Sequence, residues 1–271
     1  MPELPEVETS RRGIEPHILN NKIIAVIIRQ KKLRWPIPVS LKNNLPDNKF
    51  TSVKRRGKYL LLETAKGTLI IHLGMSGSLH IVDKHSTAEK HDHFEIQFSN
   101  GKILRLRDPR RFGAVLWTRH DIAKHKLIEK LGPEPLTDEF TAEYIYQSSR
   151  KRKIAIKSFI MNSHIVVGVG NIYANEALFM AGIHPKRMSS HISLARYQNL
   201  VKAIKNILQQ AIKQGGTTLR DFSREDGKPG YFQQKLNVYG KTDQPCPKCG
   251  KTLKHIYQQQ RSTYYCSYCQ K

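Results

Sequence analysis

At 271 residues the chain has room for about two domains, each with a core of its own. Its 46 Lys and Arg against 22 Asp and Glu give a net charge of +24 and a pI near 10, which points to a polyanionic partner, nucleic acid first, with a merely solvated basic surface as the plainer alternative. A hydrophobic content of 39% excludes a disordered chain, and no aliphatic run longer than Ile23 to Ile28 is present to span a membrane. The start has no basic stretch followed by an apolar one, so a cytoplasmic or nucleoid location is the expectation.

The first segment, Met1-Pro2-Glu3-Leu4-Pro5-Glu6, has two readings. Trimming of Met1 would leave Pro2 as a free secondary amine beside two carboxylates. An α-amine has a pKa of about 8 against about 10.4 for lysine, so far more of it is unprotonated and nucleophilic at neutral pH. The plainer reading is a helix start, with Pro5 in the first turn, Glu6 and Glu8 at the positive end, and Val7, Ile14 and Ile18 on one apolar face.

Short β-branched or alternating runs then dominate. Strands are expected at Lys22 to Arg29, Tyr59 to Glu63, Thr68 to Leu73, Leu79 to Val82, Phe94 to Phe98, Ile103 to Arg107 and Ala114 to Thr118, with turns such as Lys66-Gly67 and Asn100-Gly101 between them. Many short strands without intervening helices imply a sandwich or barrel. Arg29 to Asn48, rich in proline and lysine, reads as a long exposed loop, and Lys54 to Lys58 as a basic run that holds phosphates or is simply solvated. Met75 sits on a glycine-flanked turn and by itself reads as core filler. Arg105, Arg107, Arg110 and Arg111 cluster around Asp108-Pro109 and lead into Phe112, a pattern suited to wedging into a base stack.

Leu131 to Pro135 breaks the strand pattern and marks a hinge, placed at 132–136. Helices are expected at Asp138 to Gln147, Ile154 to Asn162, Asn171 to Ala181 and Leu194 to Ile212, the last ending at Gly215-Gly216. Gly168-Val169-Gly170-Asn171 either lets a phosphate approach a helix N-terminus or forms a helix–helix turn. Residues 217–234 read as a functional loop, anchored by Tyr231 and Phe232. All four cysteines form two Cys-x-x-Cys pairs, Cys246 with Cys249 and Cys266 with Cys269, sixteen residues apart. That spacing fits one closed, structural zinc site on a short hairpin, with two disulfides as the alternative. Arg261 falls near the hairpin turn.

Pro2 to Glu8, Arg56 to Tyr59, His72 to Gly77, Asp108 to Gly113, Val166 to Glu176 and the cysteine hairpin, taken in order, make the chain resemble bacterial formamidopyrimidine-DNA glycosylases nearly end to end. The resemblance implies an α+β protein: an N-terminal β-sandwich domain with an N-terminal helix (1–131), a helix–two-turns–helix region (137–236) and a four-cysteine zinc hairpin (237–271). It implies excision of oxidised purines from double-stranded DNA, followed by strand cutting, by a monomer holding one structural Zn2+. Pro2 would attack the sugar, Glu3 would act as acid–base group and Glu6 would help position the amine. Lys58 and Arg261 would join them as catalytic groups. Lys58, His72, His91, Lys153, Asn171 and Arg261 would hold DNA, with Met75, Arg110, Arg111 and Phe112 filling the space of the flipped base. Arg220, Asp221 and Phe222 would close over it. An endonuclease VIII-like enzyme for oxidised pyrimidines is similar in layout, but typically opens Pro-Glu-Gly-Pro where this chain has Leu4. A non-catalytic zinc-ribbon binder would explain the charge and the cysteines but not the Pro-Glu start or the wedge.

Overall fold

A computed structural model of the chain describes residues 2–215 and 236–271. They fall into two compact units, one running to Glu129 and the other from Lys130 to Gln214 with the described C-terminal residues.

The first unit opens with α1 (Leu4–Ile18). Glu3 is its N-cap: the Glu3 carboxylate accepts the Glu6 N–H, and the Glu3 N–H donates to Glu6 Oε2 at 2.8 Å. This is a capping box made from two glutamates, with Pro5 in the turn where a missing N–H costs nothing. Val7, Ile14 and Ile18 are all buried, as their spacing implies. After β1 (Ile23–Ile28) and the short α2 (Leu41–Asn44) come seven strands: β2 (Ser52–Arg56), β3 (Tyr59–Thr64), β4 (Gly67–His72), β5 (Ser78–Asp83), β6 (Asp92–Phe98), β7 (Lys102–Arg107) and β8 (Ala114–Thr118). They form two four-stranded antiparallel sheets, ordered β1-β6-β7-β5 and β2-β3-β4-β8. Leu60, Leu62, Leu69, Phe94, Ile96 and Leu106 belong to the shared core, the arrangement of a sandwich. α1 contacts β2 and β5, the edge strands of the two sheets, and its Val7, Ile14 and Ile18 join the shared core.

Two expectations change here. Lys54 to Arg56, read only as a basic run, form most of edge strand β2, with only Val53 fully turned into the core; their charges are what an edge strand tolerates. The 29–48 segment is not an exposed loop either. Leu33, Ile37, Leu41 and Leu45, four residues apart, are buried in the sandwich core, and Arg119 Nη2 beyond β8 reaches Asn44 Oδ1 at 2.9 Å.

In the second unit, α3 (Ala142–Ser149), α4 (Ile156–Ile160), α5 (Asn171–Met180) and α6 (Leu194–Lys213) surround one apolar cluster that includes Phe159, Tyr173, Leu178, Tyr197 and Leu208. Thr141 and Ser193 cap α3 and α6, each side-chain oxygen accepting the N–H of the residue three positions on. The segment read as a hinge is tied into this unit, Gly132 N–H donating to Ser163 O and Val167 N–H to Pro133 O. β9 (Lys254–Gln258) and β10 (Arg261–Tyr265) form the C-terminal hairpin. None of the helices among the described residues is long and apolar enough to cross a membrane.

α5 and the hairpin region are joined through Glu176, which is fully buried. Its two carboxylate oxygens accept the backbone N–H groups of Asn237, Val238 and Tyr239 and the Asn237 side-chain amide, all at 2.8–2.9 Å. Glu176→Ala leaves those donors buried without acceptors and should cost about 3 kcal/mol. Urea denaturation reads this directly, and an unchanged midpoint would show that water replaces the carboxylate without loss.

Candidate active site and nucleic-acid interface

The capping box fixes the backbone on which Pro2 sits. Pro2, Glu3 and Glu6 are all buried, and Glu6 is committed to the Glu3 N–H, so the carboxylate next to residue 2 is held in one place by the helix start itself. Glu8, one turn on, is a structural group. Burial opposes its ionisation, but hydrogen bonds from Arg11 and Arg12 and the charges of Arg11 and Arg55 outweigh this and hold its carboxyl below the usual range. Glu8 therefore stays ionised and does not trade protons.

Lys58 stands at the tip of a hairpin. Arg56 pairs with Tyr59, leaving Gly57 and Lys58 as a two-residue turn. Gly57 has φ +58°, at the first central position where a type II′ turn takes glycine. Across the β3–β4 pair, Tyr59 faces His72 with ring centroids 4.9 Å apart. The Gly74 N–H donates to His72 Nδ1 at 3.0 Å, which assigns the proton to Nε2. Burial first, then the Lys58 and Arg34 charges, lower the His72 pKa to about 4. His72 is thus a neutral donor at pH 7. Unfolded histidine titrates near 6.5, so between that value and about 4 the unfolded state binds more protons. The stability that comes from a neutral His72 is present above about pH 6.5 and is lost as pH falls toward 4. Because burial also lowers His93, His125 and His184, the informative measurement is the difference between parent and His72→Gln. The denaturation midpoint of the variant should fall less over that interval, and parallel curves would refute the assignment.

The Leu73–Gly77 turn and the Asp108–Gly113 turn lie side by side. Gly74 has φ +67°, and a Cβ there would lie 2.4 Å from the Phe112 carbonyl carbon, so only glycine lets the two backbones meet. Met75 is 36% exposed and Phe112 46% exposed. Met75 is therefore not core filler but an exposed apolar tip. The Arg110 guanidinium lies over the Phe112 ring, 5.1 Å from its centroid, and Arg111 adopts φ +55°, an uncommon conformation for a side-chain-bearing residue. The arginine cluster divides in two. Arg110 and Arg111 are exposed, whereas Arg105 is buried against Glu95 at 2.6 Å and Asp92 at 3.5 Å, and Arg107 pairs with Glu89. Strand alternation alone does not separate them; the acidic partners on β6, Asp92 and Glu95, and Glu89 just before it do. His91 is half-buried, and its carbonyl accepts the Asp108 N–H, which sets it at the base of the same turn.

The second unit carries the remaining candidates. Lys153 is exposed just before α4. Asn171 opens α5, but its Nδ2 donates to the Ser262 carbonyl at 3.0 Å, so part of its amide is used to fix the hairpin. Arg261 is exposed beside a two-residue turn in which Gln259 and Gln260 both have positive φ, as a type I′ hairpin requires. Sequence reasoning missed Lys157. It is 1% exposed and its Nζ donates to Ser262 O at 2.9 Å and Thr263 Oγ1 at 2.6 Å. A lone lysine in a short helix carries no signal that it is buried. Arg220, Asp221, Phe222 and the whole 217–234 loop lie outside the described residues.

The four cysteine sulfurs lie within 4.8 Å of one another. Cys246 and Cys269 Sγ are 3.9 Å apart, and Cys249 and Cys266 Sγ 3.6 Å. A tetrahedron of Zn–S bonds of about 2.3 Å has edges of about 3.8 Å, so the set fits zinc. A disulfide requires about 2.05 Å, so the two-disulfide alternative does not fit. Four thiolates this close would repel one another, so a bound cation is what would hold the set together. Cys246, Cys266, Phe179, Val238 and Leu253 pack as a small core of their own.

A buried Pro2-Glu3 at a capped helix start, an exposed Met75–Arg110–Phe112 tip and a four-cysteine set that fits zinc are features that suit a DNA glycosylase working on an extruded nucleotide. Comparison with known proteins makes this specific. The family model described as "Formamidopyrimidine-DNA glycosylase N-terminal domain" matches residues 1–115, the corresponding H2TH domain matches 131–223, and the "Zinc finger found in FPG and IleRS" matches 243–271. Formamidopyrimidine-DNA glycosylase of Hydrogenovibrio crunogenus is 56% identical, over all of this chain and 97% of that protein. The Teredinibacter turnerae enzyme of the same name is 57% identical over all of both chains. Among solved structures, a Lactococcus lactis FPG mutant in complex with a Fapy-dG containing DNA superposes with a TM-score of 0.92 at 35% identity, covering 99% of each chain. The MutM (FPG) protein from Thermus thermophilus gives 0.87 at 30% identity, over 99% of this chain and 98% of that one. The chain belongs to the formamidopyrimidine-DNA glycosylase family, whose members are glycosylases with abasic-site lyase activity, and it carries that family's structural zinc finger.

Proposed function

We propose that this chain removes oxidised purines, 8-oxoguanine and formamidopyrimidines among them, from duplex DNA as a monomer and then cuts the strand at the resulting site. The observation that carries the reading is the buried Pro2–Glu3 pair at a glutamate-capped helix start. Once Met1 is removed, the Pro2 nitrogen attacks C1′ of the extruded nucleotide. The N-glycosidic bond breaks, and the base leaves with its electron pair and takes up a proton. Glu3 assists opening of the sugar ring by passing a proton to its oxygen, and Glu6, through its bond to the Glu3 N–H, keeps that segment in place. Ring opening leaves an iminium between Pro2 and C1′. That cation acidifies the C2′ proton; its loss expels the 3′ phosphate, and a second elimination expels the 5′ phosphate. Hydrolysis without an amine would stop at the abasic site.

Lys58 and neutral His72 in the first unit, with Asn171 and Arg261 in the second, supply donors for backbone phosphates. His91, Lys153 and Arg111 add positive or polar contacts. Met75, Arg110 and Phe112 occupy the space the base leaves, and Arg110 bonds the orphaned cytosine, which favours lesions paired with C over those paired with A. Zinc, when bound, supplies no chemistry at the sugar; Cys246, Cys249, Cys266 and Cys269 would hold it and so shape the loop that presents Arg261.

Borohydride trapping tests the central step. A duplex with one 8-oxoguanine opposite C should yield, on reduction, a covalent adduct that mass spectrometry maps to Pro2. No adduct, from protein that starts at Pro2 and contains zinc, would overturn the reading. Thymine glycol in place of 8-oxoguanine separates the endonuclease VIII-like alternative.

A further inference from the structure

The two turns that present Met75 and the Arg110–Phe112 segment are joined by a pair of side chains the proposed chemistry does not use. Ser76 Oγ–H donates to Asp108 Oδ1 at 2.8 Å, and the same oxygen accepts the Arg110 N–H at 3.1 Å. Asp108 Oδ2 accepts the Gly113 N–H at 2.7 Å. The Asp108 main chain is equally committed: its N–H donates to His91 O, and its carbonyl accepts the Arg111 N–H and contacts His93 Nε2 at 3.0 Å. Asp108 is 0% exposed and Ser76 is buried, although the residues they support stand in solvent.

An exposed apolar tip gains by folding back onto its own surface. Holding Met75 and Phe112 outward therefore takes a support that does not yield, and a fully satisfied buried polar network provides one. One hydroxyl ties the first turn to the carboxyl group and the amide of the second, so the two turns move together or not at all.

We infer that Ser76 and Asp108 are positioning residues that lock the two turns into a single wedge, and thereby set how strictly the protein distinguishes C from A opposite the lesion. The inference rests on the wedge reading of Arg110 given above. Losing one hydrogen bond to a charged group shifts a two-state balance by about tenfold or more. Ser76→Ala should therefore lower the C-over-A ratio of kcat/KM on 8-oxoguanine duplexes by about tenfold. A 2-aminopurine beside the lesion should show less unstacking, and Ser76→Thr, which keeps the hydroxyl, should restore both readouts. A role in folding alone would lower kcat/KM on both duplexes alike and leave the ratio where it was, and that result overturns the lock. Asp108→Asn, which keeps an acceptor for Gly113, carries the same comparison if Ser76→Ala lowers Tm. Arg110→Ala separates the two ideas. If it loses discrimination while Ser76→Ala keeps it, the lock is wrong and the wedge stands; if both keep it, the wedge reading falls and the lock with it.

Discussion

An uncleaved N-terminal extension on Pro2 should abolish strand cutting, with a loss in kcat of at least about a thousandfold, or about 4 kcal/mol of barrier. The extension converts the secondary amine into an amide, whose nitrogen pair is delocalised and cannot attack carbon. Binding to a lesion duplex should largely survive, because the phosphate donors are side chains whose charge and hydrogen-bonding chemistry the extension leaves unchanged. The companion variant is Glu3→Gln. A glutamine oxygen can still accept the Glu6 N–H, so the capping box persists and Tm should change by no more than a few degrees, as expected for a change within about 1 kcal/mol. Proton transfer is lost all the same, so excision should fall while folding does not. Full cutting by the extended protein, checked by mass spectrometry for an intact extension, would rule out the Pro2 amine.

What could be read in advance depended on whether a residue's environment is local. The α1 start was legible because Pro5, Glu6 and the Val7-Ile14-Ile18 face are settled within a few turns of one helix. The zinc set was legible because ligand chemistry constrains spacing in the chain itself. β2 was not, because an edge strand with one core-facing Val53 among charges looks like any basic run. The 29–48 segment carried a signal, apolar residues four apart at 33, 37, 41 and 45, but its prolines and lysines masked it. The wedge divided along the same line. The turn was visible in Asp108-Pro109, yet which arginines are exposed depends on Glu95 and Asp92, which only β6–β7 pairing brings to Arg105. Ser76 and Asp108, 32 residues apart, meet for the same non-local reason.

Removing the zinc should do more than loosen a hairpin. Cys249→Ser leaves three thiols that cannot close a tetrahedral site, and structural zinc in small fingers is worth about 10–16 kcal/mol of apparent folding free energy. The hairpin's own apolar cluster is small, so it has little else to hold it. Its strand β10 also supplies partners that the helical core depends on: Ser262 O and Thr263 Oγ1 for the buried Lys157 ammonium, Ser262 O for Asn171, and the Tyr264 N–H for Asn175 Oδ1. If β10 leaves, the Lys157 ammonium loses both of these hydrogen bonds, worth about 1.5–3 kcal/mol each for a charged donor, so α4 and α5 should loosen with it. Arg261 and Asn171 then lose their presentation together, and DNA affinity should fall by on the order of a hundredfold, the size expected for losing charge-assisted contacts. The variant should show no bound zinc by atomic emission, a lower denaturation midpoint, and weak binding to an 8-oxoguanine duplex. The sandwich core, built from residues before Glu129, should keep its own hydrogen-exchange protection. Metal-free protein that binds the duplex as tightly as the parent would mean that the hairpin holds its shape without the ion, and that its cysteines are not what presents Arg261.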